Sequence, residues 1–528
     1  MSVPVPSPGL RVSPGAWRFV VGFLSALLPG LGHVAVGRRR QAALLVLPAA
    51  VGLIVLALLV VTTDPVVLAT RLVDPDVLAA LLGIQVAVLG WRLVAVGSSL
   101  RVVEVQSPRP LDRVLLALLL AIVVLPQAAL AYTTAVAREE ALAIFAPGEN
   151  PSVWVPPASP GPSVSGSPVV SASPGSSPSP SPPPPRLTVL LIGMDSGVGR
   201  NTALTDTMMV ASLDQVAKTV SLVSIPRDMV DIPLPDGRTY RGKINGLVSW
   251  VRHHPSDFPG SRGDGQAVLA AAVSELLKIR IDHWAQVDLR GLINVVDSVG
   301  GINLTVDHGF CDPTYNEYGL NGFGIPAGRW HLDGTRALAY ARVRKAAGEN
   351  DFTRAARQQQ VIVAIRDRVV RGGFLDDPIG FLRSLGDTLS TTVPPRLLAV
   401  YVSLARQIDA RRVYRAVITH PLVRPGRGDP RGSIQIPDLR AIQRLSARLF
   451  PPAGTMPTGG EKPPAKASPT GRARNAPSAG CAPAPRPTPR PTPRPTPKPT
   501  VTPPPSASPS ASPEPSVAPS TEPAPSSS

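Results

Sequence analysis

The sequence is nearly devoid of cysteine and poor in histidine. Only Cys311 and Cys481 occur in 528 residues, the second in a low-complexity tail, so neither a disulfide framework nor a cysteine zinc site is expected. The seven histidines are scattered, without HExxH or paired spacing, which argues against a zinc centre. No short apolar stretch with a small-residue cleavage site precedes a soluble domain, so the N-terminal apolar segments read as retained spans rather than a signal peptide. No helix-turn-helix pattern stands out either, which weakens any reading as a DNA-binding regulator.

What the chain does have is positive charge, proline and long apolar runs. A formal net charge of +17 fits a polyanionic partner: nucleic acid, anionic lipid or an anionic wall polymer. The 64 prolines are concentrated before Pro185 and after Pro451. Within residues 1–145, three segments suit the ~20 residues a bilayer requires: roughly Gln41 to Thr62, Val77 to Val96 and Val114 to Thr134. A fourth run, Phe19 to Val36, is interrupted by Pro29-Gly30 and Gly32; of spanning, re-entering or lying in the interface, the last two are favoured. Arg38, Arg39 and Arg40 precede the first clear span, and Arg101, Arg109 and Arg113 lie between the second and third. Both loops are therefore expected on the cytoplasmic side, with everything after Thr134 outside. Arg92, near the end of its span, is free to snorkel and receives no function.

Residues 146–185 are rich in Pro, Ser and Gly and read as a partly stiff spacer holding the next domain off the membrane. Residues 451–528 read as a disordered basic tail with Arg-Pro-Thr-Pro repeats, either associating loosely with wall polyanions or simply solubilising. Between them, residues 186–450 form the one globular unit. Strands are expected at 187–193, 207–213, 220–225, 284–289, 302–306 and 412–418, and helices at 265–278, 291–299, 378–389 and 395–408. This alternation predicts an α/β domain, a central sheet covered by helices on both faces.

One stretch concentrates charge: Arg342 to Gln360 holds Arg342, Arg344, Arg354 and Arg357 with Asp351 and three glutamines. Asp333 is placed to cap a helix running into Arg342, and Asp351 to cap a second, in which Arg354, Arg357 and Gln358 share a face. Guanidinium groups converging across a helix–loop–helix make a fork-shaped receptor for phosphate oxygens; the alternative is a solvated basic face. Sites in open α/β sheets gather at the carboxyl ends of strands. The first strand ends at Gly193-Met-Asp195, the second begins at Asp206, and the third ends at Arg227-Asp228, followed by Lys243. Two carboxylates there suit Mg²⁺ or Mn²⁺, which takes one or two acids plus phosphate oxygens. Taken one at a time, the same residues are also ordinary turn formers and surface pairs.

Six segments in order resemble the motifs of the LytR-CpsA-Psr (LCP) family: LLIGMDS ending at Asp195-Ser196, TDTMMV around Asp206, SIPRD with Arg227 and Asp228, GKIN with Lys243, AYARVR with Arg342 and Arg344, and DFTRAARQQ from Asp351. The resemblance spans about residues 186–371. It implies a three-layer α/β/α sandwich and a bacterial membrane-anchored phosphotransferase, moving an anionic glycopolymer from a polyprenyl-pyrophosphate carrier onto cell-wall peptidoglycan. By that resemblance Asp195 and Asp206 hold the metal. Arg227, Lys243, Arg342, Arg344, Arg354 and Gln358 surround the pyrophosphate, and Asp351 is a candidate base in the same site. The sequence departs from the family in two respects. Leu204 stands where many members carry an arginine, with Arg200 a substitute a few residues earlier, and there are three or four apolar segments where members often have one. Two other outcomes stay open: water as acceptor, giving a polyprenyl-pyrophosphate hydrolase, and a wall-polymer binding module without turnover. A nucleic-acid partner is not expected, because the topology puts the basic domain across the membrane from DNA.

Overall fold

A near-continuous apolar run such as Val189-Leu-Leu-Ile192 puts apolar side chains on both faces of a strand and needs helices on both sides, and the chain supplies them. A computed structural model describes residues 14–102, 110–145, 153–157, 185–195, 204–373, 378–386, 388–460 and 474–475. Its central sheet has six strands: β1 (Arg186–Met194), β2 (Thr205–Asp214), β3 (Thr219–Ile225), β4 (His283–Asp288), β5 (Leu389–Thr391) and β6 (Val413–Val417), in the order β5-β4-β1-β2-β3-β6. β1 runs antiparallel to β2, β2 to β3 and β4 to β5, whereas β1–β4 and β3–β6 are parallel.

Leu190, Ile192 and Met194 of β1 face the buried helix Gly265–Leu277, together with Leu247, Val248 and Ile442. The intervening Leu191 faces the other way, with Met209 and Leu222, onto Ile362 and Val363 of the helix Asp351–Val369. The architecture is therefore the expected three-layer α/β/α sandwich. A second core forms around the pair Ile302–Val306 and Gly328–Leu332 and the helix Gly334–Arg342. Cys311 lies in a short strand beside it and is disulfide-bonded, whereas the sequence suggests no disulfide framework. Cys481, the other cysteine, lies outside the described residues.

Among the described residues three helices are long and apolar enough to cross a membrane: Arg39–Thr62, Pro75–Val102 and Pro110–Phe145. The interrupted fourth run forms two pieces, Pro14–Leu27 and Leu31–Ala35, with Gly30 between them at φ 102°. They pack against the second span: Ser98 Oγ lies 3.2 Å from His33 Nε2, and Arg92 Nη2 donates to the Ala26 carbonyl at 2.6 Å. Arg92 thus points into the bundle rather than snorkelling away from it.

The spacer reading is corrected in two places. Trp154 is 2 % exposed, packs edge-on against Phe258 and donates from Nε1 to the Pro259 carbonyl, so Val153–Pro157 is docked onto the domain. The domain is also not held off the spans. Ala137, Ala141 and Ile144 of the third span pack on Leu382 and Leu385, and Asp64 pairs with Arg406 at 2.5 Å. At the other boundary the chain continues past residue 450: Gly454 N donates to Asp214 and Thr458 N to the Arg448 carbonyl. Arg474–Asn475 pairs with Trp330 and His331, and the rest of the tail lies outside the described residues.

Candidate active site: a charged cleft above an apolar cavity

The strand register brings the acids and the first arginine together. β1 and β2 are antiparallel, so the end of one adjoins the start of the other, and a register shift after Gly193 sets Met194 opposite Thr205. The Asp195 amide then donates to the Leu204 carbonyl at 2.8 Å. A side chain at Gly193 would meet Thr207 Cβ at 2.9 Å, so this crossing tolerates only glycine without movement. Between β2 and β3, Met208 pairs with Ile225. Two residues further along each strand, Arg227 Nη1 meets Asp206 Oδ1 at 2.7 Å. Asp228 extends the array, 3.7 Å from Arg227 Nε and 3.1 Å from Lys243 Nζ.

The helix–loop–helix descends onto these strands. Asp333 caps Gly334–Arg342 as the sequence predicts, accepting from Arg336 N at 2.8 Å. The second helix is capped by Asn350, not by Asp351: Asn350 and Thr353 form a reciprocal capping box, and Asp351 is the first helical residue. Arg342, at the end of the first helix, lies 3.5 Å from Asp195 Oδ1 and 3.8 Å from Asp206 Oδ2 through one nitrogen, Nη1. Its Nε and Nη2 meet the Glu317 carboxylate at 3.0 and 3.3 Å. Arg354 Nη2 pairs with Asp351 at 3.0 Å. The cleft between these groups, about 340 Å³, is walled by Asp195, Asp206, Arg227, Arg342, Arg344 and Arg354, with Glu317 and Asp312 on the facing loop.

Burial and neighbouring charge act differently on two arginines of this cluster. Burial opposes the charge on Arg227, but Asp206, Asp228 and Asp351 outweigh it and hold the pKa above its ordinary value. For Arg354 burial wins: desolvation pulls its pKa down against the attraction of Asp351, with Arg227 and Arg344 adding repulsion. An anion entering here meets guanidinium groups already stripped of much of their water, where Coulomb attraction is screened least.

The structure divides the remaining expected residues. Lys243 stands behind Asp228 rather than in the cleft wall. Gln358 donates to the Ala341 carbonyl at 3.3 Å and lines the apolar cavity beneath. Asp351 sits beside the cleft through its partner Arg354. Arg357 is not on the phosphate side at all. It is 6 % exposed, donates to the carbonyls of Tyr340 and Val343 and to Glu349, and lies 4.5 Å over the Phe310 ring. Its role is to clamp the two helices. Gln359 likewise anchors the helix to the sheet, reaching Ser224 Oγ and the Ala416 carbonyl at 2.9 and 2.7 Å. Arg200 lies outside the described residues. Glu317, which sequence reasoning misses, comes from a loop with no motif of its own; the only signal is an acid in a segment bracketed by the short strands Phe310–Asp312 and Phe323–Ile325.

Beneath the cleft lies an apolar cavity of about 290 Å³ between the sheet and the arginine-bearing helix. Leu191, Ile192, Met209, Leu338, Val361 and Ile365 contribute to its wall, and Asp206, Arg342 and Arg354 border both spaces. Among the described residues no group of three or more His, Cys, Asp or Glu is arranged to hold a metal. Asp195 and Asp206 do converge on one Arg342 nitrogen, and two carboxylates with phosphate oxygens are what Mg²⁺ usually takes.

Comparison with known proteins supplies the family. Residues 176–421 match the LytR_cpsA_psr family model. The chain is 31% identical over 202 residues to the Cell wall biosynthesis protein LcpA of Corynebacterium glutamicum, covering 36% of this chain and 37% of that protein. It is 30% identical over 204 residues to the Polyisoprenyl-teichoic acid--peptidoglycan teichoic acid transferase TagU of Bacillus mycoides, covering 39% and 57%. In both comparisons the chain spans well under two thirds of the relative's length. Among solved structures, TagT bound to LI-WTA aligns at 20% identity with a TM-score of 0.39, over 51% of this chain and 91% of that one. The ordered motifs, the α/β/α layers and the family match agree: residues 176–421 form a LytR-CpsA-Psr domain.

Proposed function

We propose that the protein is a membrane-anchored phosphotransferase that moves an anionic glycopolymer from a polyprenyl-pyrophosphate carrier onto peptidoglycan. One observation carries the reading: a cleft of arginines and acids opens directly onto an apolar cavity, with Asp206, Arg342 and Arg354 shared between them. That combination matches a ligand with a doubly charged phosphate head and an apolar tail. TagU and TagV relatives carry names for transfer of teichoic acid from a polyisoprenyl carrier to peptidoglycan, which supports the same chemistry here. The basic loops at one end of the spans, and the disulfide at Cys311, fit a domain on the outer, oxidising side of a multi-pass protein.

In this mechanism Arg227, Arg342, Arg344 and Arg354 bind the pyrophosphate, and Lys243 with Asp228 buttresses Arg227. Asp195 and Asp206 would hold Mg²⁺ or Mn²⁺, which supplies neutralisation of the phosphate oxygens. A peptidoglycan hydroxyl attacks the phosphorus that carries the polymer, forming a new P–O bond. The bond from that phosphorus to the bridging oxygen breaks, and polyprenyl phosphate departs with the electron pair, its charge met by Arg227, Arg342 and Arg344. The hydroxyl proton goes to Asp351, at the exposed edge of the cleft. Gln358 fixes the junction between head group and tail.

The test is the full chain in vesicles with a radiolabelled lipid-linked polymer and purified peptidoglycan. Label becoming covalently bound to peptidoglycan, and lost in Asp206→Ala, is the expected result. Label released as free phosphorylated polymer would make the protein a hydrolase, and binding that survives Asp195→Ala and Asp206→Ala without product would make it a static receptor.

A further inference from the structure

The cavity under the arginines does not end inside the domain. A second apolar space of about 470 Å³ adjoins it, and the two have Leu191, Ala285, Ile362, Phe381, Leu385 and Leu389 in common. The far end of this second space is walled by Thr70, Val73, Ile144 and Phe145, which belong to the membrane region. The two apolar spaces thus adjoin along a shared wall, and together they extend from the ends of the apolar helices to the charged cleft.

Several features hold that mouth in place. The helix Pro110–Phe145 has 36 residues and a length of ~54 Å, against a hydrocarbon core of ~30 Å. Its last turns, beginning near Arg138-Glu139-Glu140, lie past its most apolar part and meet the domain through Ala141 and Ile144. The short helix Pro65–Arg71, between the first two clear spans, packs Val66 and Ala69 against Val299 and Val402. Asp64 caps it, accepting from Val66 N at 2.9 Å, and also pairs with Arg406. These contacts lie at the span ends opposite the basic loops.

We propose that Asp64–Val73 and the last turns of Pro110–Phe145 form a portal through which the carrier's isoprenoid chain enters from the bilayer, so that the extra spans serve lipid delivery. The inference rests on the phosphotransferase reading for the identity of the head group. Its physical basis is separate. Protein interiors leave few voids larger than a water molecule, and one lined by leucine, valine and phenylalanine stays dry and accepts apolar guests. The cost of drawing an isoprenoid through water grows with every methylene exposed. A path that is apolar from the helix ends to the head-group site avoids that exposure, and an occupant continuous with both the bilayer and the cleft is a long-chain polyprenyl pyrophosphate.

Two measurements on the full chain in phosphatidylglycerol-containing vesicles test this. In the first, a long-chain polyprenyl pyrophosphate bearing a diazirine at its tail end is photolysed with the wild-type protein and the adducts are mapped. Adducts within 64–73 and 137–145 are expected; adducts confined to other segments would overturn the portal. In the second, turnover of a long-chain carrier in the vesicle is divided by turnover of a geranyl-pyrophosphate-linked analogue supplied in solution. Thr70→Trp and Ile144→Trp, which fill the mouth, should lower that ratio by about ten-fold or more, whereas Leu53→Trp on an exposed face of the first span should not. An unchanged ratio in both mouth variants refutes the portal. If the wild type turns over neither carrier but still gives adducts at the mouth, the transferase reading fails and the portal stands.

Discussion

Two arginines in the same short stretch should respond to substitution in opposite ways. Arg357 is 6 % exposed and donates to two backbone carbonyls, of Tyr340 and Val343, as well as to Glu349 at 2.8 Å. Its guanidinium also lies 4.5 Å over Phe310 and 5.5 Å over Tyr340. Arg357→Ala leaves the part-buried Glu349 carboxylate and two buried carbonyls without their cation, a class of change that costs about 3–5 kcal/mol. In a domain of this size that corresponds to a fall of roughly 6–20 °C in melting temperature. Arg344 is exposed and lines the cleft, so Arg344→Ala removes charge without opening the core. It should reduce head-group binding by about 1.5–3 kcal/mol, roughly 10–150-fold in kcat/KM, with the melting temperature unchanged. Thermal denaturation and polymer transfer, measured on the same preparations of the full chain, separate the two effects. A stable Arg357→Ala protein that loses only activity would place Arg357 in the phosphate site and refute the clamp; an unfolded Arg344→Ala would refute the division altogether.

Other outcomes follow from the same geometry. Chelation by EDTA should stop transfer, and Mg²⁺ or Mn²⁺ should restore it in the wild type but not in the Asp195→Ala, Asp206→Ala double variant, as read by label on peptidoglycan. Trp154→Ala removes a buried ring and its bond to the Pro259 carbonyl, and should cost about 3–5 kcal/mol in chemical denaturation; no loss would mean that Val153–Pro157 contributes nothing to the fold. Asn350→Ala breaks the capping box and should cost about 1 kcal/mol, whereas Asp351→Ala should leave stability nearly unaltered while slowing transfer.

The part of the site built by strand register is legible in the sequence. Asp195, Asp206 and Arg227 lie at ends of consecutive antiparallel strands, and such ends adjoin whatever the rest of the fold does. Helix-face reasoning is coarser. Arg354, Arg357 and Gln358 share a side of their helix, yet Arg354 turns to the cleft, Arg357 to the preceding helix and Gln358 to the apolar cavity, because the neighbouring helix ends at Arg342 and cuts across that side. Spacing records a direction to within a wide sector, and three different neighbours fit inside one sector. Glu317 is invisible for another reason. It arrives from a loop between strands of three residues each, too short to show alternation, and only the folded second core brings it to Arg342.

The seating of the domain on the membrane helices has a signal that hydropathy passes over. An apolar window finds the part of a helix that lipid can cover and stops at Thr134, where polar residues begin. The helix itself goes on, since Arg138, Glu139 and Glu140 favour helix and nothing there breaks it. Beyond the window Ala137, Ala141 and Ile144 recur at four and three residues, a stripe on one side of the helix past its most apolar part. Such a stripe calls for a protein partner, and here Leu382 and Leu385 of the domain, together with Leu78, provide it. Trp154 carries the same logic along the chain: a large aromatic side chain amid proline and serine is best explained by burial elsewhere, and its pocket is on the domain. These two contacts set the domain against the helix that precedes it, so the separation expected of a Pro/Ser-rich spacer is not what the described residues show.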